Sequence, residues 1–207
     1  MIMKNAISLL IIIFLTLSVK AQSSLETAVI NELNSYRTKL SNTQWKPKNA
    51  DSDYDSNVGF LCKLAYDKDL SNTANYHAKY LSEVTKLGLR NSSGEKAHDE
   101  NVNLKNWIEL SFDQRDNNLK KLNLKKELVG EIQMQQFSSP KGIRDKELAK
   151  KIISSFDRSD GHKEIMLLYF EEDLIKPIVG ISIIVREDKD LNILYHSVVI
   201  DFGIIQK

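Results

Sequence analysis

The side chains best suited to chemistry in this chain are a few histidines and one glutamate. His162 lies in residues 156–167, where an amphipathic helix is followed by a turn-forming Asp-Gly pair. A histidine at such a corner can reach into a cleft, or it can simply hydrogen-bond the corner, and both interpretations stay open. Glu131 follows Gly130 at the start of a predicted strand. Imidazoles can bind a divalent ion and a carboxylate can act as a general base, so hydrolytic or metal-binding chemistry is conceivable.

The other three histidines have more ordinary interpretations. His77 lies on the inward side of a predicted helix beside Ala74 and Ala78, which is typical of a core or cleft-floor histidine. His98 lies in a polar, turn-rich segment, where a histidine is usually solvated. His196 alternates with its neighbours on the last predicted strand, which favours a half-buried histidine in a sheet.

Helical periodicity predicts the elements that position these residues. A capping box of Ser23 and Glu26 opens the first helix, on which Asn34 and Arg37 either pin the following loop or form a solvated flank. Asp69 is predicted to cap a second helix. Further helices are predicted over residues 103–124 and from residue 139 to residue 156, with ends marked by turn formers.

Strand patterns occupy the rest of the chain. Residues 128–135 alternate apolar and polar side chains after Gly130, and residues 178–185 and 191–202 flank a predicted hairpin turn at residues 188–190. A hairpin implies an antiparallel sheet, and the preceding helices should cover its faces. Cys62 is the single cysteine and lies in an apolar context, so it is predicted to be a packed thiol without a disulfide.

The N-terminus predicts export. Lys4 precedes an almost unbroken apolar run over residues 6–19, and Val19-Lys20-Ala21 offers small residues for cleavage ahead of Gln22. Residues 1–21 are therefore expected to be a signal peptide, with an uncleaved anchor as the alternative. Residues 22–207 would then form one secreted or periplasmic domain without a transmembrane span. The net charge of +1 gives no reason to expect a nucleic-acid partner.

Several segments carry motifs in a recognisable order. Residues 64–81 read LAYDKDLSNTANYHAKYL, residues 34–37 read NSYR, and residues 130–132 read GEI. Residues 156–164 read FDRSDGHKE, and the last strand ends with a Phe-Gly pair. Together these segments resemble bacterial CAP domains, the SCP-like relatives of cysteine-rich secretory, antigen 5 and pathogenesis-related proteins.

The resemblance implies an α+β fold, a three-layer α-β-α sandwich with a small antiparallel sheet between helices and a cleft lined by histidines and acidic residues. By position, His162 matches the cleft histidine before the final hairpin, Glu131 matches the cleft glutamate, and His77 matches a mostly structural histidine. His98 is the best candidate for the second cleft histidine. Ser159 stands where eukaryotic members have a second cleft glutamate.

Two functions fit such a cleft. The first is a secreted binding module that takes a divalent metal such as zinc through His98 and His162, and with it a small molecule, a peptide or a lipid. The alternative is a metal-dependent, peptidase-like hydrolase in which Glu131 and His162 are catalytic. No H-E-x-x-H or other local zinc motif is present, so the sequence leaves open whether the protein is an enzyme.

Overall fold

A computed structural model of the chain describes residues 22–46, 61–87, 110–139, 143–169 and 174–207. Within these ranges, five helices pack on an open four-stranded mixed sheet, so the predicted α+β class is confirmed. The predicted signal peptide and His98 lie outside the described residues. None of the described helices combines the length and the apolar character that crossing a membrane requires.

Three of the five described helices begin at a side-chain cap. α1 is Ser24–Leu40, and its capping box is formed by Ser23 and Glu26 as expected. The cap of α2 differs from the prediction, because Asp67 rather than Asp69 accepts the hydrogen bond from the Leu70 amide. The bounds are α2 Lys68–Lys86, α3 Phe112–Leu122, α4 Asp145–Asp157 and α5 Asp160–Met166. α4 and α5 have no side-chain cap, and α4 begins at Asp145, later than the predicted start at residue 139.

The sheet is larger than predicted and is not purely antiparallel. Its strands are β1 Ala65–Tyr66, β2 Lys126–Ser138, β3 Ile175–Asp188 and β4 Ile193–Gln206, in the order β1-β3-β4-β2. The three long strands are antiparallel, and the hairpin between β3 and β4 is confirmed. β1 pairs with β3 in parallel at the edge of the sheet. After these two residues the chain turns directly into α2.

Alternation along the strands divides the core between the two faces of the sheet. On β4, Val198, Ile200 and Phe202 belong to a cluster with residues of α1 and α4. Val199 points the other way and packs against α2. We call the first side the α1/α4 face and the second the α2/α3 face, since α3 joins α2 there through the contacts of Leu119.

Gly180 allows α2 to lie directly on the sheet. A Cβ atom at this position of β3 would lie 2.2 Å from the carbonyl carbon of Leu70. No side chain fits at that separation, so only glycine permits this approach of helix backbone to strand backbone. α2 therefore holds its buried side chains, including His77, against the strands at close range.

Polar side chains of α1 tie the neighbouring segments together. Asn34 bonds both the amide and the carbonyl of Leu64, at 2.9 and 3.1 Å. Arg37 is fully buried and donates to the carbonyls of Cys62, Met166 and Leu168. Both residues therefore pin chain segments by hydrogen bonds, although these segments are residues 62–64 and the end of α5 and not the predicted loop itself, and the alternative of a solvated flank is wrong. Cys62 is buried, as predicted for a packed thiol.

Candidate functional site

Glu131 lies in the interior of β2 rather than at its start, because the strand begins at Lys126, five residues before Glu131. An irregularity between Leu128 and Gly130 leaves Val129 without a partner in the register. Beyond it, Gly130 lies opposite Phe202 and faces Ile165 of α5, while Glu131 lies opposite Asp201. Glu131 therefore points to the α2/α3 face.

On that face Glu131 is enclosed by charged and polar side chains. Arg115 of α3 donates from Nη1 to Glu131 Oε2, and the two side chains are 1% and 0% exposed. His77 Nε2 of α2 lies 3.7 Å from Glu131 Oε1 and 3.3 Å from Gln133 Oε1. The His77 ring also stacks on Tyr80. This arrangement confirms the interpretation of His77 as a satisfied core histidine.

Asp201 completes this group, which we call the buried carboxyl cluster: His77, Arg115, Glu131 and Asp201. Thr73 donates its hydroxyl to Asp201 Oδ2, while Oδ1 is buried and meets no donor among the described residues. Burial and the neighbouring negative charge of Glu131 raise the pKa of Asp201 well above its usual range, despite Arg115 and the Thr73 hydrogen bond. A protonated Asp201 can donate to Glu131, and one proton then satisfies both carboxyl groups.

This shared proton predicts a characteristic pH dependence of stability. A carboxyl whose pKa is raised by folding stabilises the native state fully below its unfolded pKa of about 3.8, and this contribution is lost as the pH rises through the folded pKa. Asp201→Asn keeps a donor toward Glu131 at every pH. The free energy of unfolding of the wild type minus that of the variant should therefore fall with rising pH, by at most about 1.4 kcal/mol per unit.

Urea unfolding of both proteins between pH 4 and pH 8 measures this difference. The comparison cancels the titration of carboxyl groups that do not interact with Asp201, so the remaining pH dependence belongs to the pair Asp201 and Glu131. A difference that stays constant over the whole range would mean that Asp201 is ionised in the native state and that no proton is shared.

His162 lies on the opposite side of the sheet. It belongs to α5, is half-buried, and meets Phe156 of α4 edge-on with 5.2 Å between ring centroids. Phe156 belongs to the α1/α4 face. The predicted Asp-Gly corner is in fact the first turn of a short helix, where Gly161 needs no unusual backbone conformation.

Of the predicted site residues, the two that the structure describes lie on different faces of the sheet. Glu131 faces Arg115 on the α2/α3 face, whereas His162 contacts Phe156 on the α1/α4 face, so the sheet separates them. His98, the predicted second cleft histidine, lies outside the described residues. Glu131 is fully buried and paired with a guanidinium, whereas a general base has to come within hydrogen-bond reach of a water molecule or substrate.

The described residues do not fit a zinc site. No group of three or more histidine, cysteine or carboxylate side chains in the described ranges could hold a metal ion. In the buried carboxyl cluster, Arg115 supplies the positive charge that a metal would supply. His196 is also not a ligand candidate, because it is buried and bonds Ser138 Oγ through Nε2 at 2.7 Å. Burial lowers the pKa of His196, which favours a neutral ring.

Arg115 and Asp201 are the members of the cluster that sequence reasoning missed, although both left a signal. Asp201 is a single acid within the apolar segment Val198 to Phe202, where a buried charge requires a partner. Arg115 shares one side of α3 with Phe112 and Leu119 at helical spacing. Because Arg115 and Asp201 each lie on a buried surface, their opposite charges suggest that the two side chains lie close together. Only the fold shows that Glu131 belongs to the same cluster.

Comparisons with known proteins identify no relative of this chain. No protein-family model matches the chain, and neither the curated proteins nor the solved structures contain a match.

Proposed function

We propose that this chain is an exported CAP-type protein that acts as a binding module and not as a hydrolase. The likeness to CAP domains rests on the order of the sequence motifs, and two structural features support it. Helices pack on both faces of the sheet, as the α-β-α arrangement requires. Asn34 and Arg37 of the N-x-x-R motif also pin the segments around them, so the motif has a structural role here.

The observation that carries the proposal is the environment of Glu131. In a hydrolase this carboxylate would have to reach a water molecule and a substrate. Here its side chain is fully buried, ion-paired with Arg115 and separated by the sheet from His162. We therefore assign Glu131 a structural role in the core, and we place the binding surface around His162.

The metal part of the proposal depends on the pair His98 and His162. No group of three or more ligands is present among the described residues, so a metal at His162 would depend on His98, which lies outside them. Zinc titration of the purified protein by calorimetry tests this part directly. A His162→Ala variant that binds zinc as tightly as the wild type would remove His162 from any metal site.

The hydrolase alternative makes a different prediction for Glu131→Gln. If the proposed binding module is correct, peptide mixtures are not cleaved by the wild type with or without added zinc, and the substitution changes only the free energy of unfolding. Mass spectrometry of the peptide mixture and urea unfolding measure the two quantities. Glu127→Gln is the matched control, since Glu127 lies on the same strand with its side chain 39% exposed.

One result would overturn the proposal. In that result the wild type cleaves peptides, Glu131→Gln cleaves them more slowly by a factor of about 10² to 10⁴, and Glu127→Gln retains the wild-type rate. Glu131 would then act as a base, and the buried cluster would have to open during the reaction.

A further inference from the structure

A cationic surface lies along the exposed side of α4, on the α1/α4 side of the sheet. Together with one residue of β2 it borders an open depression of about 390 Å³. We call this the α4 basic surface, and it consists of Gln136, Lys150, Lys151, Ser154, Ser155 and Arg158. Three of the six residues are cationic, the others are neutral hydrogen-bonding residues, and none is acidic.

Helical spacing explains why these side chains converge. Lys150, Ser154 and Arg158 follow one another at intervals of four residues, so they form one row on the helix surface. Lys151 and Ser155 form a second row beside it. The guanidinium of Arg158 is also oriented, because Nη2 donates to Ser155 Oγ at 3.0 Å.

The charges of this surface are only partly offset by nearby carboxylates, since Glu147 interacts electrostatically with Lys150 and Lys151 without forming an ion pair with either. Lys150, Lys151 and Arg158 have no ion pair within 4.0 Å among the described residues. Glu147, one turn before the two lysines, is paired with Arg144 at 2.6 Å. Asp157, next to Arg158, pairs with Lys163 at 2.9 Å and accepts from the Tyr36 hydroxyl.

Cations near the end of a helix can also have a purely structural purpose, because they offset the partial negative charge of its carbonyl end. That partial charge is about half an elementary charge, whereas the surface carries three positive charges. Lys150 and Lys151 also lie in the middle of α4, where the dipole of the helix ends has little effect. Compensation of the dipole therefore does not account for the cluster.

We propose that the α4 basic surface is a binding site for a phosphomonoester on a small soluble molecule. Lysine and arginine donors arranged with hydroxyl and amide groups match the oxygens of a phosphate. The depression is larger than a phosphate group and falls in the size range of small-molecule sites, which leaves room for a sugar-sized group attached to it. This site is independent of His162 and of the function proposed above.

Calorimetric titration with glucose 6-phosphate, inorganic phosphate and glucose tests the proposal. We expect glucose 6-phosphate to bind, inorganic phosphate to bind more weakly, and glucose not to bind. Each of Lys150→Gln and Lys151→Gln should weaken binding about fivefold, the effect of losing one exposed charge contact. Binding should also weaken as the salt concentration rises, since exposed charges are screened.

Lys146→Gln is the matched control, because Lys146 is an exposed lysine of the same helix that does not border the depression. It should change the affinity less than twofold. Equal affinity of the wild type and the Lys150→Gln/Lys151→Gln double variant would overturn the proposal. So would equal binding of glucose and glucose 6-phosphate, or binding to vesicles of anionic phospholipid with none to the soluble phosphates. All these side chains are exposed, so circular dichroism should show every variant folded.

Discussion

Replacing Arg115 with methionine is expected to cost about 3–5 kcal/mol of folding free energy, the typical cost of breaking a buried ion pair. The substitution keeps most of the apolar volume of the side chain but removes the guanidinium from Glu131. Two carboxyl groups would then share the interior, since Asp201 lies opposite Glu131 on the adjacent strand. Urea unfolding at pH 7 gives the loss as a lower midpoint with an unchanged slope.

The double variant Arg115→Met/Glu131→Gln separates the charge from the packing. Replacing both members of a buried ion pair with neutral groups is often close to neutral for stability, so most of the loss should be recovered. Lys120→Met is the matched control on α3, because Lys120 forms a more exposed pair with Asp116 and should matter little. If the double variant is as unstable as Arg115→Met, the loss comes from the contacts of the arginine stem and not from the uncompensated charge.

The buried carboxyl cluster also shows where prediction from the sequence ends. The helices α1 to α4, the hairpin and the burial of His77 were predictable, since each is recorded in local spacing and in turn-forming residues, whereas the short helix α5 was expected to be a turn. The face of the sheet on which Glu131 lies was not predictable from the sequence. It depends on where β2 begins and on the extra residue Val129, and a shift of one residue moves a strand side chain to the other face.

The same limit explains why Glu131 and His162 are predicted to share a site although they lie on different faces of the sheet. Chemical type and the resemblance to CAP domains predict that Glu131 and His162 belong to one site. Sequence distance gives no information on whether a sheet lies between two side chains, whereas the contacts of Arg115 and Phe156 do. For Asn34 and Arg37 the prediction succeeded, because a residue beside a helical stripe needs only to reach the next segment.

Arg37→Met should be the other strongly destabilising substitution, with an expected cost of about 3 kcal/mol or more. The fully buried guanidinium donates at 3.2 Å to the carbonyl of Cys62, at 2.6 Å to that of Met166 and at 3.0 Å to that of Leu168. Each carbonyl left buried without a donor costs about 1–3 kcal/mol. Two of the three lie at the end of α5, so this helix, which carries His162, would lose its attachment to α1.

Hydrogen exchange locates the effect, and urea unfolding measures its size. In Arg37→Met the exchange of the amides of α5 and of residues 61–64 should be accelerated relative to the wild type. The acceleration should be larger there than in β4, because local opening precedes global unfolding. Arg37→Lys should lie between the wild type and Arg37→Met, since one ammonium cannot reproduce a three-way guanidinium contact. Lys39→Met, at an exposed position of the same helix, is the control and should exchange like the wild type. Uniformly faster exchange in Arg37→Met, with no preference for α5, would mean that Arg37 stabilises the fold as a whole and does not specifically position the helix of His162.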